Sequence, residues 1–281
     1  MSYLRKPEWL KTQLQSNAQF VKISQIVKLN KLHTICSSGK CPNMSECWNK
    51  GTATFMIMGN VCTRTCKFCN TLFGHPLQLD PLEPQKVADS IKLMNLKHAV
   101  VTSVDRDDLS DRGANHWAET IKSIKLTNPE TTLEVLIPDF DGKTELIDLV
   151  ISQNPNIISH NLETVRRLTP QIRSKAKYET SLAVLKYISG NNIVAKTGIM
   201  VGLGEKQEEI IELMNDVLKT GCRILTIGQY MQPSRNNVAV SEYIHPDVFE
   251  EYKTIGIKKG FKIVESAPLV RSSYCAENHM I

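Results

Sequence analysis

The sequence has no apolar run of about 18 residues, the length a helix needs to cross a bilayer, so no membrane span is expected. Its opening, "MSYLRKPEWLKTQLQSN", lacks the apolar core and small-residue cleavage site of a secretory leader. It also differs from an acid-free, Arg- and Ser-rich organelle leader, which makes the cytoplasm the expected compartment. Long basic runs are missing as well. Net charge is only +5, and Lys and Arg are interleaved with acids, as in "VDRDDLSDRG", leaving no strip for a nucleic-acid backbone. The seven histidines form no H-E-x-x-H spacing and carry no assigned role. No internal repeat or low-complexity segment stands out.

What is present is length and regularity. The 281 residues, 41% hydrophobic and 22% charged, suffice for one large αβ domain with a small appendage, or for two domains. Apolar, β-branched runs recur at "ATFMIMG", "HAVVTSV", "TLEVLIP", "IISHNLE", "VAKTGIMVG" and "ILTIGQY". Amphipathic helical stretches separate them, such as "EPQKVADSIKLMN" with Val87, Ala88, Ile91 and Met94 on one face. Six strand-then-helix units imply a parallel sheet of right-handed βαβ crossovers. The strands read as apolar nearly throughout, as if buried on both faces. Six units fall two short of a closed eight-unit barrel, so an open partial barrel fits; a doubly wound sheet is the alternative. In either, ligands belong at the carboxyl ends of the strands. Before this array the sequence predicts a short helix at "PEWLKTQLQ" and an apolar stretch at "VKISQIVKLN"; after it come a helix at 245–260, a strand-like "FKIVES" and a tail.

Eight cysteines carry most of the chemical information, and six fall between Cys36 and Cys69. Clustering at one end of a long chain points to a metal or cofactor rather than to disulfides. Cys62, Cys66 and Cys69 follow C-x3-C-x2-C, just beyond the first predicted strand. Three soft thiolates on one loop can each bind one iron of a four-iron cluster and leave the fourth open for reaction. The alternative is a structural zinc site completed by a distant Cys or His. Cys36, Cys41 and Cys47 form a second trio, C-x4-C-x5-C, again one ligand short. Cys222, behind a plausible helix cap at Gly221, reads as a small buried apolar residue.

C-x3-C-x2-C after the first strand of a six-unit array resembles the radical S-adenosylmethionine superfamily. With C-x4-C-x5-C, "VTSVDRDDL", "KTGIMVGLGE", "LTIGQYMQPS" and "PLVRSSY" added, the chain is similar to the lipoyl synthase family from about Cys36 to Tyr274. The resemblance implies an α/β fold, a partial (β/α)6 TIM-like barrel at 51–265. An N-terminal extension, 1–50, then bears auxiliary cluster ligands, and a short C-terminal tail, 266–281, carries "RSSY". It further implies two 4Fe–4S clusters and S-adenosylmethionine, with Cys62, Cys66 and Cys69 as the catalytic ligand set. The auxiliary cluster, sacrificed as sulfur source, would use Cys36, Cys41, Cys47 and a serine oxygen: Ser273, or else Ser272. Cys275 is a departure from the family pattern, either a bystander or a competing ligand; Ala267 stands where a Gly is usual. The implied reaction inserts sulfur at carbons 6 and 8 of an octanoyl group amide-linked to a carrier-domain lysine, along a channel lined by apolar side chains. Implied partners are octanoylated lipoyl carrier domains (2-oxoacid dehydrogenase acyltransferase subunits or the glycine cleavage H protein), an electron donor and an iron–sulfur carrier. Neither nucleic acid nor membrane is expected, and the chain should act as a monomer.

Contacts to S-adenosylmethionine are expected from Phe68 against the adenine and from Asn161 and Glu163 at the end of the fourth strand, on one face. Gly202 and Gly204 would allow the backbone to approach the adenine. "DRDD", Asp105 to Asp108, reads as hydrogen-bonded loop structure or as orientation of that ligand, and Arg173 as an exposed helix arginine.

Overall fold

The computed structural model describes residues 4–12 and 16–279. Its principal sheet has eight strands: β1 (His33–Thr34), β2 (Thr54–Ile57), β5 (His98–Ser103), β6 (Thr132–Leu136), β7 (Ile157–Ser159), β8 (Val194–Val201), β9 (Ile224–Gln229) and β10 (Ile263–Ser266). They lie side by side in chain order. Only β1 runs antiparallel, against β2; every other pair is parallel. A doubly wound sheet reverses its strand order at a switch point. No reversal occurs here, so the sheet winds one way, as a partial barrel does. β3 (Val61–Cys62) and β4 (Leu72–Phe73) form a separate two-stranded ribbon.

Six helices return the chain between successive parallel strands: α4 (Glu83–Met94), α5 (Ala114–Thr127), α6 (Thr144–Ile151), α8 (Tyr178–Gly190), α9 (Gln207–Lys219) and α10 (Pro246–Lys259). The six expected units are therefore present, and "FKIVES" adds a seventh parallel strand, β10. α4 shows why they form. Pro84 sits in its first turn, Val87, Ala88, Ile91 and Met94 are buried, and Asn95 ends it in the left-handed conformation at φ 54°. Each large side chain on that stripe contributes roughly 1.5–3 kcal/mol by leaving water.

Ahead of the barrel, α1 (Ala18–Leu29) turns the "VKISQIVKLN" stretch into a helix, capped by the Asn17 side chain. Short helices α2 (Ile35–Ser38) and α3 (Met44–Asn49) carry the first cysteine trio, and α7 (Thr169–Ile172) precedes α8. The helix expected at 7–15 is a single 3-10 turn, Glu8–Leu10, and residues 13–15 lie outside the described residues.

One expectation is corrected: the strands are not apolar on both faces. Residues facing the helices (Phe55, Val101, Leu133, Ile158, Ile199, Ile227) belong to the main apolar core. The lumen face carries Thr54, Thr102, Glu134, Ser159, Lys196 and Thr226, all buried. Lys196 Nζ lies 2.8 Å from both oxygens of Glu134, and the Ser159 hydroxyl donates to Glu134 Oε1 at 2.7 Å. Side-chain exposure of this ion pair is 1% and 0%. A pair so buried is tolerable only while intact, because either partner alone is an uncompensated charge. Lys196→Met should destabilise the protein by about 3–5 kcal/mol, and Lys196→Met with Glu134→Leu should recover most of that loss. Urea denaturation midpoints of the three proteins check this.

Candidate active site

Cys62 ends β3, and Cys66 and Cys69 follow in the turn before β4. The turn hangs from its surroundings by backbone donors: Thr63 to the Asp105 carbonyl at 3.1 Å and Lys67 to the Ile172 carbonyl at 2.8 Å. Thr65 N–H donates to Ser174 Oγ at 3.0 Å, and Asn237 Nδ2 to the Cys69 carbonyl at 2.8 Å. Its strongest anchor is Arg64, between the first two thiols and 5% exposed. Nε and Nη2 donate to Asp107 at 2.8 and 3.0 Å, and Nη1 and Nη2 to Asp139 at 3.0 and 2.8 Å. Asp105 lies 3.3 Å away. Two bidentate forks thus pin the loop after β2 onto the mouths of β5 and β6. Lys175 and Arg112 reach Asp141 at 3.1 and 2.9 Å and complete the network.

This network gives "DRDD" its role. Asp107 is a structural acceptor for Arg64, and Asp108 pairs with Arg106 at 2.8 Å. Asp105 sits at the thiols: its N–H donates to Cys62 Sγ at 3.3 Å, and burial pushes its carboxyl up to about 6 against the pull of Arg64. Burial also works against the Asp139 carboxylate, yet the hydrogen bonds and charge of Arg64 hold it well below the usual range. Arg64 escaped the sequence reading. Its signal was a charged side chain inside a thiol loop too short to leave it in solvent.

Around the triad stand several of the expected side chains. Phe68 is half-buried against the core. Glu163 holds φ at 68°, an uncommon conformation for a residue with a Cβ, and its backbone bridges β8 at Gly198 and Met200. Burial raises the Glu163 carboxyl, while Arg173 and a hydrogen bond from Asn161 oppose that rise. Cys69 is among the groups that feel its charge. Asn161 Oδ1 is buried without a partner. Arg173 is not an exposed helix residue: it is half-buried, donates to Ser181 Oγ at 2.8 Å, and its Nε is buried and unpartnered.

The two expected glycines stand in the turn after β8. A Cβ on Gly202 would lie 2.1 Å from Gln229 Nε2 and 2.4 Å from the Glu242 carbonyl oxygen. Protein already fills that space, so at φ 95° packing alone requires a glycine there. Gly204, 3.5 Å from Ser241 by the same construction, is likewise a turn residue, with its carbonyl accepting from Arg167 at 2.8 Å.

The second trio lies elsewhere than the carboxyl ends. Cys36 follows β1 and neighbours Thr54, the first residue of β2, whereas the first-described triad lies past the other end of that strand. Four residues of strand, about 13 Å at 3.3 Å per residue, separate the two. The tail joins them. Asn43 Nδ2, between Cys41 and Cys47, donates to the Leu269 carbonyl at 2.6 Å, and Tyr274 OH donates to Glu46 Oε1 at 3.2 Å. Between these clamps, Ser273 Oγ accepts from Thr54 Oγ1 at 2.8 Å, and the same Thr54 hydroxyl hydrogen-bonds Cys36. Ser272 Oγ faces the other way and accepts from Asn161 Nδ2 at 2.7 Å. Ala267 does not disturb this path; its N–H donates to the Ile227 carbonyl at 3.2 Å. Cys275 is half-buried, with Glu277, Lys50, Glu265 and Glu46 as its charged neighbours. Cys222 is fully buried and donates to the Ala195 carbonyl at 3.2 Å.

The thiols fit iron–sulfur clusters. All eight cysteines are free. Burial raises Cys36, Cys41 and Cys69, and burial with neighbouring charge pushes Cys47 and Cys62 up to about 12. Such thiols are poor nucleophiles, and metal ligation is what would displace their protons. Among the described residues no three His, Cys, Asp or Glu side chains converge as one ion requires. Each trio offers three soft sulfur donors on one short segment, the donor type that suits an iron–sulfur cluster. The channel lining departs from the apolar expectation, since Thr54 and Thr102 share the lumen with Met56 and Met200.

Arg64→Gln should leave buried carboxylates facing one another. The expected outcome is a loss of about 3–5 kcal/mol in stability, with iron at the Cys62, Cys66 and Cys69 site reduced while the other site still loads. Denaturant titration and iron per chain in single-triad variants measure both effects.

Known proteins share these features. The radical SAM superfamily profile matches residues 56–217. The chain is 64% identical over 278 residues to the lipoyl synthase of Parabacteroides distasonis, covering 99% of each chain. It is 56% identical over 277 residues to that of Treponema denticola, covering 99% of this chain and 96% of the relative. Among solved structures it resembles Streptococcus suis SuiB bound to S-adenosylmethionine, with a TM-score of 0.60 at 12% identity over 81% of this chain and 55% of that one. It also resembles methylornithine synthase, with a TM-score of 0.54 at 12% identity over 91% and 83%. Those two likenesses speak for the fold alone. Sequence identity along the whole length goes further: the chain belongs to the lipoyl synthase family of the radical SAM superfamily.

Proposed function

We propose that this enzyme inserts two sulfur atoms, at carbons 6 and 8, into an octanoyl group amide-linked to a lysine of a lipoyl carrier domain, the last step of lipoyl assembly on protein. The observation that carries the reading is the tail inside the lumen. Thr54 links Ser273 to Cys36, while Asn161 links Ser272 to Glu163, so one dipeptide touches the surroundings of both thiol sets.

Cys62, Cys66 and Cys69 would hold a 4Fe–4S cluster with one iron free of protein. Glu163 would accept from the amino group of S-adenosylmethionine, Arg173 would meet its carboxylate through the unpartnered Nε, and Phe68 would lie against the adenine. Cys36, Cys41, Cys47 and Ser273 would hold the second 4Fe–4S cluster. When bound, the first cluster supplies the electron that splits S-adenosylmethionine into methionine and a 5′-deoxyadenosyl radical, and the second supplies sulfur. No side chain could deprotonate a saturated carbon, so the protein's share is orientation and exclusion of water. Thr54 orients the Ser273 oxygen, a harder and weaker donor to iron than a thiolate, which suits a ligand that must let go. Ser272 hydrogen-bonds Asn161 on the side of Glu163, whereas Ser273 shares Thr54 with Cys36, which favours Ser273 as the fourth ligand. The carriers are acyltransferase subunits of 2-oxoacid dehydrogenases or the glycine cleavage H protein, served in the cytoplasm by a monomer that also meets an electron donor and an iron–sulfur carrier.

Anaerobic reconstitution followed by incubation with S-adenosylmethionine, reductant and an octanoyl-lysine peptide tests this, read by mass spectrometry. Wild type should bind about eight irons and add two sulfurs to the peptide. Ser273→Ala should keep 5′-deoxyadenosine formation but lose at least tenfold in sulfur insertion. A product lost in Ser272→Ala and kept in Ser273→Ala would reverse the ligand assignment; two zincs per chain would end the proposal.

A further inference from the structure

We infer that the β3–β4 ribbon and the basic rim beside it form the landing surface for the folded, acidic protein domain that presents the octanoyl-lysine. The inference rests on the proposed reaction and adds where its macromolecular substrate docks. Phe73 pairs with Cys62 across the ribbon, so this surface begins one strand away from a cluster thiol. Leu72, Phe73 and Leu77 are 61%, 70% and 87% exposed. A lone exposed Leu means little, but three large apolar side chains within six residues at the lip of a site mark a contact surface.

Charge selects the occupant. Lys40, Lys67 and Arg235 are exposed and form no ion pair among the described residues. These three cations meet around the loop 233–238, which contains Arg235: Lys40 Nζ reaches the Pro233 carbonyl at 3.4 Å, and Val238 N–H donates to the Lys67 carbonyl at 3.0 Å. An apolar ribbon flanked by uncompensated positive charge complements a domain with an acidic face and an apolar centre. A bare acyl-lysine would reach only the lumen and leave this surface untouched.

Two variants of the loaded enzyme test the surface, Phe73→Ser with Leu77→Ser, and Arg235→Glu. Each is assayed on an octanoylated lipoyl domain and on an octanoyl-lysine peptide, with binding of the domain followed separately by calorimetry at two salt concentrations. On the domain, kcat/KM should fall at least tenfold, mainly through KM, and binding should weaken equally; turnover of the peptide should stay within twofold. For wild type, affinity for the domain should drop as salt rises. Unchanged domain binding in both variants overturns the inference, as does equal loss on domain and peptide. If wild type proves dimeric and Phe73→Ser makes it monomeric, the ribbon belongs to a second copy and the inference fails. Should wild type turn over neither substrate, the proposed reaction falls, while calorimetry still decides whether the domain docks here.

Discussion

A sheet that curls around polar side chains must match most of the donors and acceptors inside it, and this requirement shapes the lumen. The barrel is open between β1 and β10, so water would otherwise enter. Instead the segment after β10 lies along the inner wall. It brings two hydroxyls, Ser272 and Ser273, to Asn161 and Thr54 on the wall, and ties itself to α3 through Tyr274 and Glu46. Burial of Thr54 is acceptable because Ser273 answers its hydroxyl, and Ser272 takes the Asn161 Nδ2 donor. Closure and site construction are the same act here.

A second constraint acts at the opposite end of β2. Thiols that will bind iron must be held still before the metal arrives, and a loop of eight residues has little packing of its own. Arg64 substitutes charge for packing. Its forks draw carboxylates from two different strand ends into one cage, and Lys175 and Arg112 balance the excess negative charge. Because guanidinium geometry is rigid, the cage fixes direction as well as distance. The loop therefore inherits the rigidity of β5 and β6.

Much of this was legible in the chain. Both trios and "RSSY" stand in the sequence as printed, and the strand–helix alternation follows from runs such as "HAVVTSV" and the α4 stripe. Features that needed three dimensions shared one property: their partners are distant. Arg64 could not be matched to Asp139 without knowing that the second and third barrel strands end side by side. Glu134 and Lys196, 62 residues apart, sit in β-rich runs where a single charge looks like an interruption, not half of a pair. A positive-φ glycine after a strand, such as Gly202, suits a ligand or a neighbour equally, and its packing against Gln229 and Glu242 shows only in three dimensions. α1 was missed as a helix because β-branched Val and Ile in "VKISQIVKLN" weaken the helical signal that its buried Ile23 and Ile26 restore in context.

The hydroxyl that meets the Thr54–Cys36 pair stands 219 positions down the chain from Thr54. As the polypeptide emerges from the ribosome, the three early sulfurs are made first and must wait for all ten strands before that oxygen exists to join them. Gly228 makes room for that late segment, because a methyl group there would sit 2.0 Å from the Val270 carbonyl. A product truncated before Ser273 would carry the early thiols without that hydroxyl.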